Sequence, residues 1–190
     1  MTIDDAPEFS RNKPLSTYPT PGRNLWSRLH EEETAMSRRT IGLSLVALQF
    51  VLIAALVLLP WTDPLWQREA IAFSVSGAFA LAGVVVAVLG VRGLGRSLTA
   101  SPVPLESSEL VTGGLYGLVR HPIYSGLMLG ALGVALAGAT WWHLATWLAL
   151  VVLLMAKARW EERMLLERYD DYADYALRVG RFIPGIGRIG

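Results

Sequence analysis

Long apolar runs along this chain are separated by short polar segments rich in arginine. Four runs reach or approach the roughly 17–25 mostly apolar residues that a helix needs to cross a bilayer. They are "IGLSLVALQFVLIAALVLLP" (41–60), "AIAFSVSGAFALAGVVVAVLGV" (70–91), "IYSGLMLGALGVALAGA" (123–139) and "TWWHLATWLALVVLLMA" (140–156). A soluble domain can bury one such helix, but not four among so few polar ones. The pattern therefore predicts an all-α, polytopic membrane protein with about four transmembrane helices. The last two runs abut, which predicts an antiparallel helical hairpin. Beyond Ala156, polar residues enter while Trp160, Met164, Tyr172 and Tyr175 keep an approximate helical stripe. With no proline or glycine before Gly180, the hairpin is expected to run on unbroken as a cytoplasmic amphipathic helix, ended by "RFIPGIG" with Pro184 as its stop. Three parts result: a cytoplasmic tail (1–39), the first two spans (40–91), and a part made of loop, hairpin and C-terminal helix (92–190) that holds the candidate chemistry. Within the tail, residues 1–21 read as disordered and 24–39 as an interfacial helix striped by Leu25, Trp26 and Leu29.

Composition sharpens this picture. Hydrophobic residues make up 53% of the chain, and the net charge of +1 argues against nucleic acid as a partner. Cysteine is absent, which excludes disulfides and thiolate chemistry, and three scattered histidines predict no metal centre. The first apolar run follows about forty polar residues, so no cleavable signal peptide is expected. Arg28, Arg38 and Arg39 precede the first run; Arg92, Arg96 and Arg120 lie between the second and third; Lys157, Arg159, Arg163 and Arg168 follow the fourth. Under the positive-inside rule both termini and the middle loop are cytoplasmic, with a bacterial inner membrane as the expected setting. Trp61, Trp66, Trp141 and Trp142 then fall in the outer connections as an aromatic belt, with His143 read as an interfacial residue there. Gly126, Gly130 and Gly133 read as packing positions that let helix backbones come close.

The candidate chemistry sits at the inner border, in "YGLVRHPIYSG" (116–126). Pro122 suits the first turn of a helix, where its missing N–H costs nothing. His121 and Tyr124, three apart, project from neighbouring faces of that turn. Upstream, Gly113 and Gly114 allow a backbone to approach a ligand closely. A hairpin returns its end to the side where it began, so Glu161 and Glu162 are expected to face this segment. A helix N-terminus, an imidazole, a phenol and carboxylates suit a ligand with both signs of charge and an aromatic ring. S-adenosyl-L-methionine fits that description, and so does a nucleotide or a phospholipid headgroup.

The combination "ELVTGGLYGLVRHPIYSG", an apolar hairpin and "EERMLLERYDDYADYALRVGRFIPG" resembles the isoprenylcysteine carboxyl methyltransferase and phospholipid methyltransferase group of membrane enzymes, over about half the chain. The resemblance implies S-adenosyl-L-methionine as methyl donor and a lipophilic or lipidated acceptor drawn from the bilayer, with carboxylate O-methylation favoured. It implies cofactor contacts at Leu110, Val111, Tyr116, His121, Pro122, Ile123 and Tyr124, and at Glu161 with Glu162 beside it. A substrate-associated arginine of the prenylcysteine enzymes falls on Lys157, with Arg159 as rival, and Arg120 or Arg159 would act on an anionic acceptor head. The usual "GPY" is Gly114-Leu115-Tyr116 here, and "FGEEY" is shortened to "YDDY". Two other readings stand beside this one. A sterol-reductase-like NADPH enzyme also has an Arg-His near a Tyr and an acidic pair after a hairpin, and a non-enzymatic membrane scaffold would retain the fold without chemistry.

Overall fold

A computed structural model describes residues 25–67, 69–95 and 110–188, with side chains from residue 36 onward. The expected disordered tail (1–21), and the side chains of the expected interfacial stripe Leu25, Trp26 and Leu29, lie outside the described residues. Among the described residues the fold is all-helical: α1 (Leu25–Leu58), α2 (Ala70–Leu94), a 3₁₀ turn (Gly114–Gly117), α3 (Pro122–Gly138), α4 (Trp141–Arg168) and α5 (Tyr172–Arg178). Among the described residues three helical segments are long and apolar enough to cross a membrane: Met36–Leu58 of α1, α2 and α4. The third apolar run of the sequence forms α3, which is shorter at 17 residues.

No residue of α3 is exposed, whereas α1 and α2 present many bare apolar side chains. The reason is close packing on α2. A methyl group added at Gly83 would overlap the backbone of Gly130, and one added at Gly126 would overlap that of Ala87. Gly133 meets the Ser76 and Ala80 backbone in the same way. The small residues expected to bring helices together do so, and the partner they meet is α2. On the other side of α3, Ala131 and Ala135 pack with Leu150 and Leu154 of α4 and Leu56 of α1.

Ala139 and Thr140 alone separate α3 from α4. Ala139 takes a left-handed conformation (φ 54°) that ends α3, and the Thr140 side chain accepts from the His143 backbone N–H to start α4. His143 is fully buried, with Nδ1 2.7 Å from Thr140 Oγ1 and its ring edge-on to Trp61. Its side chain is thus packed inside the protein beside the Thr140 cap at the start of α4. Trp61, Trp141 and Trp142 are exposed.

The expected continuous C-terminal helix is interrupted. α4 ends at Arg168, Tyr169 is extended, and α5 begins after Asp171. Adjacent aspartates are poor helix formers, and the break lets Tyr172, Tyr175 and Ala176 bury together against Leu110 and Leu165. The chain after α5 then runs beside the segment that leads into α3. Val119 and Gly180 form a parallel bridge, Arg120 N–H donates to Gly180 O (2.8 Å) and His121 N–H to Arg181 O (3.0 Å).

Candidate active site

Pro122 occupies the first turn of α3 and is fully buried. Its fixed φ sets the exit of the loop, and His121 sits immediately before it. The single Ser125 Oγ–H lies within reach of two carbonyls, Phe182 O (2.8 Å) and His121 O (3.1 Å), and so ties the C-terminal segment to this turn. His121 and Tyr124 therefore project side by side, their rings parallel within 2° and 5.4 Å apart at the centroids.

The two adjacent glutamates of α4 divide the work. Glu161 accepts a hydrogen bond from the Tyr124 hydroxyl (2.5 Å), and its other oxygen lies 3.6 Å from His121 Nδ1. Glu162 faces a different set. Its Oε1 receives Arg120 Nε (2.9 Å) and lies 3.2 Å from His121 Nε2, and its Oε2 receives Arg181 Nη2 (2.6 Å). His121 thus stands between both carboxylates. Neighbours in sequence on a helix point about 100° apart, which is why one pair of glutamates serves two environments.

Arg120 was expected to act on an acceptor, and its surroundings assign it elsewhere. It is buried, and besides Glu162 it donates to the carbonyls of Ala176, Val179 and Gly187. A guanidinium has five donors, and these partners use them in tying the C-terminal segment to the start of α3. Arg159, expected to act on an acceptor head, is exposed, whereas Lys157, Ala158 and Glu162 of the same helix are buried. Glu162, expected beside the cofactor, is enclosed by its two arginines and His121. Tyr116 is buried with its hydroxyl on Gly90 O of α2 (3.3 Å), and its carbonyl accepts from the Tyr175 hydroxyl (2.6 Å). Burial pushes the Tyr116 hydroxyl pKa up and that of Tyr175 to about 12, so both remain neutral donors near pH 7. The Leu110 side chain packs on the Tyr172–Tyr175 cluster, and Ile123 lies against Gly90 of α2. Val111 is half-buried.

Lys157 remains beside the His121–Tyr124–Glu161 group. It is buried, its ammonium 4.9 Å from the Tyr124 ring centroid and 3.0 Å from Gln49 Oε1 of α1. Two members of the network were not anticipated. Arg181 lay in a stretch read only as a helix stop, and Gln49 lay in a run read only as a span. The signals were present: an arginine directly after Gly180, and a carboxamide in an otherwise apolar helix. Among the described residues there is no group of three or more His, Cys, Asp or Glu side chains placed to hold a metal ion.

Residues 71–172 match the model of the phospholipid methyltransferase family, more than half of the chain. The chain belongs to that family. Its matched segment contains Arg120, His121, Tyr124, Lys157, Glu161 and Glu162, and leaves out α1 and the segment after Tyr172. Curated relatives of this family member include the nickel-cobalt-cadmium resistance protein NccN of Alcaligenes xylosoxydans xylosoxydans, 30% identical over 80% of this chain and 68% of that protein. The cobalt-zinc-cadmium resistance protein CzcN of Cupriavidus metallidurans is 41% identical over 42% of this chain and 37% of its own length.

Proposed function

We propose that this family member is an integral membrane methyltransferase that uses S-adenosyl-L-methionine and a lipophilic acceptor, with a carboxylate as the favoured acceptor group. The observation that carries this reading is the convergence of His121, Tyr124 and Glu161 where α3 begins and α4 leaves its apolar stretch. About 1.5 Å of rise per residue puts Glu161 roughly 30 Å along α4 from Trp141, the depth of a bilayer core. That supports four membrane crossings, with α3 and α4 as a hairpin and the site at the inner border. The positions of the arginines support cytoplasmic termini.

The residues fit the proposed cofactor. Glu161 is an acceptor for a cationic portion, and the parallel His121 and Tyr124 rings offer an apolar face next to it. When bound, that cofactor supplies a methyl group activated by a neighbouring sulfonium. Glu161 and Tyr124 would orient the charged portion. Lys157 would meet an anionic acceptor head, and an ionised carboxylate needs no general base. The contribution of the protein is then positioning and exclusion of water. Arg120, Glu162 and Arg181 hold the walls in register. The names of the two relatives support a setting in metal tolerance, in which methylation of a membrane component aids growth in cadmium or cobalt. Loss of the gene should then reduce growth in those salts, and unchanged growth would remove that setting.

The direct test is thermal unfolding of detergent-solubilised protein, because a ligand of the native state raises its stability. S-adenosylhomocysteine should stabilise the wild type and fail to stabilise Glu161→Gln or His121→Ala. Stabilisation by NADPH instead would support the reductase reading, and none by either ligand would support a scaffold. Membranes given methyl-labelled cofactor should then carry label in a lipid extract.

A further inference from the structure

α1 carries a buried stripe along one face: Gly42, Gln49 and Leu56 are buried, with Leu45, Val46, Leu52 and Ile53 partly covered between them. Every side chain of that stripe except one is apolar. Gln49 sits at its centre, within the apolar segment Met36–Leu58, and its Oε1 is the hydrogen-bond acceptor for Lys157 Nζ at 3.0 Å. A lysine buried within the protein one turn short of the inner border is costly and calls for a local reason. Among the described residues its ammonium has one hydrogen-bond partner, Gln49, and a cation–π contact with Tyr124. An ammonium has three donors.

The neighbouring charges favour a second ligand there. Glu161, one turn further along α4, is within electrostatic reach of Lys157, while its oxygens make their contacts with Tyr124 and His121. In the proposed complex a cationic cofactor would balance Glu161, leaving the Lys157 charge for something else. Gln49 contributes a fixed dipole and no charge, so it holds the ammonium in place without neutralising it. A glutamate at the same position would hold it and cancel it.

We propose that Gln49 is a positioning residue that aims the Lys157 ammonium at the anionic head of a lipophilic acceptor beside Tyr124, so that α1 completes the acceptor site. The proposal rests on the methyltransferase reading for the identity of the bound molecule as an acceptor, although the anion seat itself does not. It also assigns a task to a helix outside the segment that matches the family.

The alternative is that Gln49 and Lys157 merely fasten α1 to α4, as polar pairs between membrane helices do. Matched probes separate the two. Hexadecanoate, hexadecanol and hexadecylamine share a tail and differ in head charge, and their binding is read by titration in neutral detergent with and without S-adenosylhomocysteine. Wild type should bind hexadecanoate more tightly than either other probe. Gln49→Leu should weaken hexadecanoate by about tenfold, the order expected for losing a hydrogen bond to a charged group, and leave hexadecanol unchanged. Gln49→Glu should abolish the preference for the carboxylate while keeping α1 fastened. Gln49→Asn should restore part of the preference. Lys157→Met should remove it altogether.

If Gln49→Leu or Gln49→Glu retains the wild-type preference, or if wild type shows none, the proposal is wrong. Equal loss of all three probes in Gln49→Leu would also overturn it, in favour of a fastening role. S-adenosylhomocysteine binding is scored separately. Its absence from wild type, with the carboxylate preference intact, removes the methyltransferase reading and leaves the anion seat standing.

Discussion

At the scale of single residues, the adjacent glutamates are the clearest case of one sequence feature with two fates. Glu162 is 3% exposed and shared by Arg120, Arg181 and His121. Removing its charge leaves the buried Arg120 and the partly exposed Arg181 without their balancing carboxylate, and breaking a buried ion network costs about 3–5 kcal/mol. Glu162→Gln should therefore lower the unfolding midpoint strongly in detergent. Glu161→Gln keeps a hydrogen-bond acceptor for Tyr124, so it should unfold near the wild-type temperature while losing the response to S-adenosylhomocysteine. Equal thermal loss in both variants would contradict this division. The sequence made the pair and its facing residues legible, because a short connection after α3 returns α4 to the same end. It did not say which glutamate faces which partner, since that depends on the rotation of α4 about its axis.

At the scale of elements, α3 is the helix on which the site depends. Its glycines were legible as packing positions, but pattern alone does not name the helix they meet. The contact with α2 is backbone against backbone at Gly83, Gly126 and Gly133, so a large side chain there has nowhere to go. Gly126→Leu should cost at least about 1–3 kcal/mol, as overpacking does in close-packed interiors. Gly77, where an added methyl meets nothing within 4 Å, is the matched control on α2, and Gly77→Leu should leave stability nearly unchanged. Both are read by unfolding in detergent. The break between α4 and α5 was the opposite case: helical periodicity continues through it, and burial of Tyr172 and Tyr175 overrides that local preference.

At the scale of the whole molecule, residues far apart in sequence close one network. Arg120 reaches Ala176, Val179 and Gly187, Ser125 reaches Phe182, and Lys157 reaches Gln49. Truncation after Arg178 removes Arg181 and the carbonyls of Val179, Phe182 and Gly187. The shortened protein should lose stability and S-adenosylhomocysteine binding together, because the start of α3 would no longer be held. Retained binding in the truncated protein would mean that the C-terminal segment serves some other purpose.

The amino-acid order alone determined the helical class, the apolar runs, the border that carries His121, Tyr124 and Glu161, and the resemblance that led to the family. Those features are local or periodic, so a linear reading captures them. The three-dimensional arrangement decided that Arg120 holds a chain segment, that Arg159 lies on an exposed face, and that α1 contributes Gln49. The first and the last depend on contacts across more than fifty residues, and the second on how α4 is rotated about its axis, none of which periodicity encodes.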